Sequence, residues 1–309
     1  MTVHPDARRF LDIVAGSPPA DTQTVEQNRA ALSNALPLTG ATTELPYVED
    51  TTIAGVPVRL YSATPVEHDA PAVIYFHGGG FVLGDLEIAD TTARDLAKYS
   101  GALVVSVDYR RAPEAPFPAA IQDALAVTEA VLRGDSALPI DVSRVAVAGD
   151  SAGGTLAAVT AQQLRGHQPA LVHQALIYPT TELSTDLTGS FEEFAEGYFL
   201  TARDSEYCYS TYAGENRRDV LASPGLNPDL SNLPDATVIT GGYDPLRDQG
   251  EAYAQAMAEA GNTVTSVRFN GLVHGFFYMA GVIDGGNSAR RFVGVQLQAA
   301  LMASLVKTG

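Results

Sequence analysis

Cysteine, lysine and long apolar runs are what this 309-residue chain has least of. Its one cysteine, Cys208, excludes an internal disulfide framework and fits a reducing compartment, so a cytoplasmic location is expected. That residue reads as a small apolar side chain in a helix rather than a reactive thiol. No run approaches the ~18 apolar residues of a membrane span, so no stable membrane anchor is expected. The N-terminus, MTVHPDARRFLDIVAG, has only a short apolar patch and carries acids, which is not the pattern of a secretory signal. Positive charge is also scarce: 19 basic residues stand against 36 acidic ones, a formal charge of −17. Nucleic acid and anionic membrane both require a basic footprint, so neither is expected as a partner. Only Lys98 and Lys307 are lysines. Genome composition and salt adaptation both produce that bias, and neither sets the chemistry.

What the chain does have is organised around Arg144 to Leu164, RVAVAGDSAGGTLAAVTAQQL. Val145 to Ala148 form a short apolar run suited to a strand buried on both faces. From Thr155 onward, small and apolar residues read as a packed helix. Between them, Gly149-Asp150-Ser151-Ala152-Gly153 is a G-x-S-x-G pattern where a strand must turn sharply into a helix. Such a turn strains the serine backbone and lifts its hydroxyl clear of the sheet edge, with glycines where strand and helix approach. Ser151 is therefore the candidate nucleophile.

The rest of the chain supplies a scaffold for it. Residues 1–46 read as a separate piece, with helices over Ala7–Val14 and Val25–Leu36 and with Asp21 and Thr22 as candidate caps. Tyr47–Ile53 and Val56–Ser62 read as a hairpin around Ala54-Gly55. Strands Ala72–Phe76 and Leu103–Val107 then alternate with helices Ile88–Tyr99 and Ala119–Leu132. After the nucleophile's strand and helix come strands Val172–Tyr178, Thr237–Thr240 and Thr263–Phe269, with helices Leu246–Ala260 and Ser288–Val306. This alternation implies a mostly parallel central sheet with helices on both faces, in one large domain or a domain with an appendage. Between Pro179 and Leu226 the rhythm stops. Phe191, Phe194, Tyr198, Phe199, Tyr207, Tyr209 and Tyr212 make that segment aromatic, and its place after a sheet strand suggests a helical lid.

A serine hydroxyl needs a base to take its proton. Of six histidines, His4 lies in the N-terminal arm and His68 in a surface turn. His167 and His173 read as ordinary surface residues, and His77 belongs to a glycine run. His274 remains, just beyond the last strand, where a loop can bring it over the strand ends. Its orienting carboxylate is Asp244, directly after the penultimate strand, with Pro245 set to begin a helix; Asp248 is the runner-up. The chain order Ser, Asp, His is that of α/β-hydrolases. Acyl chemistry also needs donors for a developing oxyanion, and His77-Gly78-Gly79-Gly80 after strand Ala72–Phe76, with the Ala152 amide, offers them. A phosphate loop fails on sequence, since no Gly-Lys-Ser/Thr follows and neither glycine cluster fits G-x-G-x-x-G. No H-E-x-x-H or clustered cysteine-histidine set suggests a metal.

HGGG at 77–80, DYRRAPEAPFPAA at 108–120, GDSAGG at 149–154, DPLRDQG at 244–250 and HGF at 274–276 occur in one order. Together they resemble the hormone-sensitive-lipase-like (family IV) esterases of the α/β-hydrolase superfamily, and EGYFLTARD at 196–204 resembles that family's cap region. The resemblance implies an α/β-hydrolase fold with a helical cap and a carboxylester hydrolase without a cofactor, acting on small-molecule esters of short to medium acyl chains. It maps Ser151 to nucleophile, His274 to base, Asp244 to orienter, and Gly79, Gly80 and Ala152 to oxyanion amides. It makes residues 1–46 and about 185–222 the cap and 47–309 the catalytic domain, and it implies a homodimer along Thr263–Phe269 and the segment beyond. Arg111 stands where the family has leucine, a departure expected to affect local packing more than catalysis. An acyltransferase or an amidase would use the same acyl-enzyme. A binding protein that kept the fold and lost the reaction is the reading from another class, and retention of all three triad members speaks against it.

Overall fold

The computed structural model describes residues 2–66, 68–186 and 188–307. Met1, Glu67, Leu187 and residues 308–309, which fall inside ranges assigned above, lie outside the described residues. Two helices come first, α1 (Pro5–Val14) and α2 (Val25–Asn34). His4 caps α1, its Nδ1 accepting from the Asp6 amide, with Pro5 in the first turn. Thr24, not Asp21 or Thr22, starts α2: it exchanges side-chain to backbone hydrogen bonds with Gln27, a capping box that leaves both orphan amides satisfied. Asp21 and Thr22 sit in a 3₁₀ turn instead. α2 stops at Asn34 because Pro37 follows, and residues Leu36–Leu38 continue as a 3₁₀ turn.

The hairpin strands β1 (Tyr47–Ile53) and β2 (Val56–Ser62) pair antiparallel around Ala54 and Gly55, both at positive φ. β3 (Ala70–Phe76), α3 (Leu86–Ser100), β4 (Leu103–Val107), α4 (Ala119–Leu132), β5 (Ile140–Asp150), α5 (Ala152–Gln163) and β6 (His173–Ile177) then alternate. Two short helices, α6 (Gly189–Glu193) and α7 (Ala202–Tyr212), fill the aromatic interruption, and no strand lies between β6 and the next among the described residues. β7 (Asp235–Tyr243), α8 (Arg247–Glu259), β8 (Val264–Val273) and α9 (Asp284–Lys307) complete the alternation.

The strands form one sheet in the order β1-β2-β4-β3-β5-β6-β7-β8. β2 runs antiparallel to both neighbours, and all strands from β4 across to β8 are parallel. The period of two along each strand divides the core. Ile74, Phe76, Val105, Val145 and Val147 join the layer of α4, α5 and α8, whereas Val73, Tyr75, Val104, Ala146 and Ala148 join that of α1, α3 and α9. Covered on both faces, these strands read as continuous apolar runs. Burial of helix α5 from Ala152 to Gln162 explains its run of glycine and alanine, which lets it lie close on β5.

Three boundaries bear on the site. β5 begins at Ile140 rather than Val145, through an irregular pairing of Ala70 with Ile140. α5 begins at Ala152 rather than Thr155, so Ser151 is the only residue between strand and helix. β8 runs to Val273 rather than Phe269, because Tyr243 pairs with Val273 beyond a register shift. His274 is therefore the first residue past the strand. His173 is not on the surface: it opens β6, is 6% exposed, and pairs through Nε2 with the Thr237 hydroxyl at 2.9 Å.

Candidate active site

Ser151 occupies φ 55°, ψ −119°, a conformation that L residues rarely adopt. It is held there from both sides: its amide donates to the Ile177 carbonyl at 2.9 Å, and its carbonyl accepts from the Thr155 and Thr180 amides. A side chain on Gly149 would collide with the backbone of Gly153, and one on Gly153 with the carbonyls of Phe76 and His77. The two glycines flanking the serine are thus required by close backbone approach.

Three elements far apart in sequence end at this point. His274 follows β8 and is 5% exposed, and its Nε2 lies 3.0 Å from the Ser151 hydroxyl oxygen. Its Nδ1 lies 2.8 Å from Oδ2 of Asp244, which is fully buried. With Nδ1–H donated to Asp244, Nε2 keeps a lone pair toward the hydroxyl. Asp244 in turn accepts from the Leu246 amide through Oδ1 at 2.8 Å. Pro245 lies just ahead of α8 rather than inside it, and Asp248 lies within the first turn. The Tyr178 ring rests against the imidazole, centroids 4.6 Å apart, and limits its tilt. The geometry brings together Ser151, Asp244 and His274 and leaves Asp248 out.

The glycine run after β3 turns back on itself beside the serine. Gly79 (φ 124°) and Gly80 (φ 62°) take left-handed conformations. The Gly79 carbonyl accepts from the Val82 and Leu83 amides at 3.1 and 2.8 Å. Ala152 is the first residue of α5, and its amide has no acceptor one turn back within the helix. Among the described residues none accepts from the Gly79, Gly80 or Ala152 amide. A side chain on Gly80 would lie 2.5 Å from Sγ of Cys208, so α7 presses directly on this turn. Burial pushes the Cys208 thiol up to about 12. Arg111 donates to the Gly84 carbonyl, so its guanidinium reaches the same loop.

Sequence reasoning passed over Asp150 as the variable residue of the serine motif. It is buried, accepts from the Tyr75 hydroxyl at 2.6 Å and the Gly78 amide at 3.0 Å, and ties the strand before the serine to the glycine run. Burial raises its carboxyl above the ordinary range, against the opposing pull of those two donors. The signal was present: an acid ending an apolar strand cannot stay solvated and must have partners. His77 lies beneath the loop, stacked on Tyr109 with centroids 4.4 Å apart, and burial lowers its basicity. His4 and His68 are exposed, and His167 pairs with the Pro169 carbonyl.

Aromatic side chains border the base. Phe199 meets the edge of Phe10 on α1 at 4.9 Å and faces Tyr278, while Tyr198 stacks with Tyr243. A side chain on Gly275, next to His274, would strike both Phe199 and Tyr278. Residues 20–21 reach the same segment: the Ala20 amide donates to Asp204, and Asp21 pairs with Arg203. Among the described residues no three His, Cys, Asp or Glu side chains gather as a metal would need, and no helix is long and apolar enough to cross a membrane.

Comparison with known proteins places this arrangement in context. Residues 73–278 match the family model described as the alpha/beta hydrolase fold. An esterase of Mycobacterium tuberculosis, LipI, is 44% identical over 237 residues, covering 75% of this chain and 74% of that protein. An ethyl acetate hydrolase of Pseudomonas putida is 35% identical over 306 residues, covering 92% and 95%. A hyperthermophilic esterase from the archaeon Pyrobaculum calidifontis superposes with a TM-score of 0.91 at 38% identity, covering 98% of this chain and all of that one.

Proposed function

The chain belongs to the hormone-sensitive-lipase-like branch of the α/β-hydrolase family and is a carboxylic ester hydrolase, and we propose that Ser151, His274 and Asp244 carry its reaction. The single observation that carries this reading is the continuous line Asp244 Oδ2, His274 Nδ1, His274 Nε2, Ser151 Oγ, with steps of 2.8 and 3.0 Å at a strained turn. Ser151 Oγ attacks the ester carbonyl carbon while His274 Nε2 takes its proton. The oxyanion that forms is met by the amides of Gly79, Gly80 and Ala152, which need no reorganisation because glycine backbone and a helix start already hold them. Collapse breaks the bond to the alcohol oxygen, which leaves with the proton from His274, and Ser151 keeps the acyl group. Water then gives a proton to His274 and attacks the acyl carbon; collapse breaks the acyl bond to Ser151 Oγ, which regains the proton from His274 as the acid leaves. Asp244 holds the tautomer throughout and stabilises the imidazolium.

Residues up to 46 and about 185–222 form the cap over this site, a reading supported by the Phe10–Phe199, Ala20–Asp204 and Asp21–Arg203 contacts that join the two pieces. The substrates are esters of short to medium acyl chains. Likeness to the ethyl acetate hydrolase supports the short end of that range. A cytoplasmic location belongs to the same reading, supported by the single free cysteine. The test is a series of p-nitrophenyl esters from acetate to palmitate with the wild type and Ser151→Ala. Turnover of acetate and butyrate that disappears in Ser151→Ala is expected. Equal turnover by the alanine variant would remove Ser151 from the reaction, and palmitate matching butyrate would remove the chain-length claim.

A further inference from the structure

Arg29 lies on α2, in the first piece of the chain, and no sequence motif drew attention to it. Its guanidinium donates from Nε to the Val82 carbonyl at 3.0 Å and from Nη2 to the Ala112 carbonyl at 3.1 Å. Val82 lies one hydrogen bond from the glycine run, and Ala112 is bonded to Phe81, the residue that follows the run. The Val82 amide donates to the Gly79 carbonyl, and the Ala112 amide donates to the Phe81 carbonyl at 2.9 Å. The Gly79 carbonyl and the Gly80 N–H belong to one planar peptide unit. Whatever fixes that carbonyl therefore fixes the direction of that N–H.

The guanidinium is itself held. Glu114 takes it bidentately, Nη1 to Oε1 at 2.6 Å and Nη2 to Oε2 at 2.8 Å, and that pairing brings the Glu114 carboxyl down to about 2. Three partners thus engage one planar group at once, Val82 through Nε, Ala112 through Nη2 and Glu114 through Nη1 and Nη2. Only arginine presents five N–H donors in a rigid fork of that kind; a lysine ammonium in its place would reach one carbonyl and lose the rest. From the other side the turn is backed by α7, through Cys208 against Gly80 and through Tyr212 stacked on Phe81 at 3.9 Å. The glycine turn is consequently gripped between the two pieces of the cap, and Arg29 is the polar half of the grip.

We propose that Arg29 is a positioning residue for the oxyanion hole, setting the aim of the Gly80 amide through the Val82 and Ala112 carbonyls. The proposal rests on the reading of Gly79 and Gly80 as oxyanion donors. Such a residue touches no reacting atom, so its loss should act on the transition state and spare ground-state binding. Misdirection of one donor should cost less than its removal, about tenfold in kcat.

The variants are Arg29→Met, Arg29→Lys, Glu114→Gln and Gly79→Ala, each in the full chain and each checked for an intact thermal melt. They are assayed with p-nitrophenyl butyrate and with a trifluoromethyl ketone of matching length, whose adduct with the serine carries the oxyanion. Arg29→Met should lower kcat about tenfold and weaken the ketone by a similar factor, with KM changed less than about twofold. Arg29→Lys should behave as Arg29→Met does, and Glu114→Gln, which preserves the guanidinium, should lie between wild type and both. Arg29→Met with wild-type kcat, or with kcat lowered and ketone affinity unchanged, overturns the proposal, as does full rescue by lysine. Should Arg29→Met fail to fold, Glu114→Gln decides alone: an unchanged kcat and ketone affinity overturns it. Gly79→Ala separates the levels. Wild-type kcat there would sink the oxyanion assignment itself, whereas a large loss there with an inert Arg29→Met sinks only the role of Arg29.

Discussion

Asp248 Oδ2 accepts from the Ser190 amide at 2.8 Å, and the Ser190 hydroxyl is in turn shared between the Asp248 amide and the Pro245 carbonyl. Arg247 takes its other oxygen. That carboxylate therefore fastens α6 to the start of α8, and those bonds hold it below the usual carboxylate range despite its partial burial. Asp244, four residues earlier, faces the imidazole. The two acids should separate cleanly in kinetics. Asp244→Asn is expected to lower kcat by about 10⁴, through the wrong tautomer. Asp248→Asn should leave kcat close to wild type and lower the unfolding midpoint. The reverse pattern in steady-state assays would exchange their roles.

Asp150 and Tyr75 give a second prediction. The 2.6 Å bond between them is buried, and with the Gly78 amide it supplies the donors that keep an acid tolerable inside the sheet. Removing the hydroxyl in Tyr75→Phe leaves the carboxylate short of a partner, at a cost of about 1–3 kcal/mol. Calorimetry should show a midpoint lower by several degrees, with KM unmoved. An unchanged midpoint would mean that Asp150 is not held as a charged acceptor.

Cys208 offers a third. Its sulfur sits against Gly80 and its thiol is raised to about 12 by burial, so almost none is ionised at neutral pH. Iodoacetamide at pH 8 should leave the folded protein unlabelled and label it fully in denaturant. Cys208→Ala should retain activity, and Cys208→Leu should lower kcat by pushing on the turn. Rapid labelling of the native protein would contradict the packing around α7.

Much of this was readable from residue order. The alternation of apolar runs with helical stretches located β3 to β8, most plainly the inner strands, which are apolar throughout because both faces are covered, and the Ala54-Gly55 turn located the hairpin of β1 and β2. The serine turn was legible because its glycines answer a steric demand that few other arrangements make. The ends of β5 and β8 were not. Both extend through irregular pairings, Ala70 with Ile140 and Tyr243 with Val273, that depend on a neighbouring strand and not on local composition. His173 was misjudged for a related reason: it follows a polar loop, yet the pairing of β6 with β7 draws it inside, beside Thr237. Arg29 was invisible, since its acceptors are main-chain carbonyls distant in sequence.

The buried His173 makes the last prediction. Burial lowers its pKa from 6.5 to about 4, with the nearby Asp235 charge pulling weakly the other way. The folded protein therefore resists a proton that the unfolded chain accepts below about pH 6.5. Between those two values the unfolded state binds more protons, so stability is complete above pH 6.5 and falls as pH drops toward 4. A shift of that size corresponds to about 3 kcal/mol at most. Glu114 and Glu206, held down to about 2 by their arginines, lose their contribution only below the ordinary range of glutamate. A comparison of unfolding midpoints at pH 7.5 and pH 5 therefore excludes these glutamates and leaves the two buried histidines, His173 and His77, which a variant at His173 separates. His173→Gln keeps a donor for the Thr237 hydroxyl and removes the titration. The wild type should lose several degrees more than this variant between the two pH values, and equal losses would show that some other group governs the acid limb.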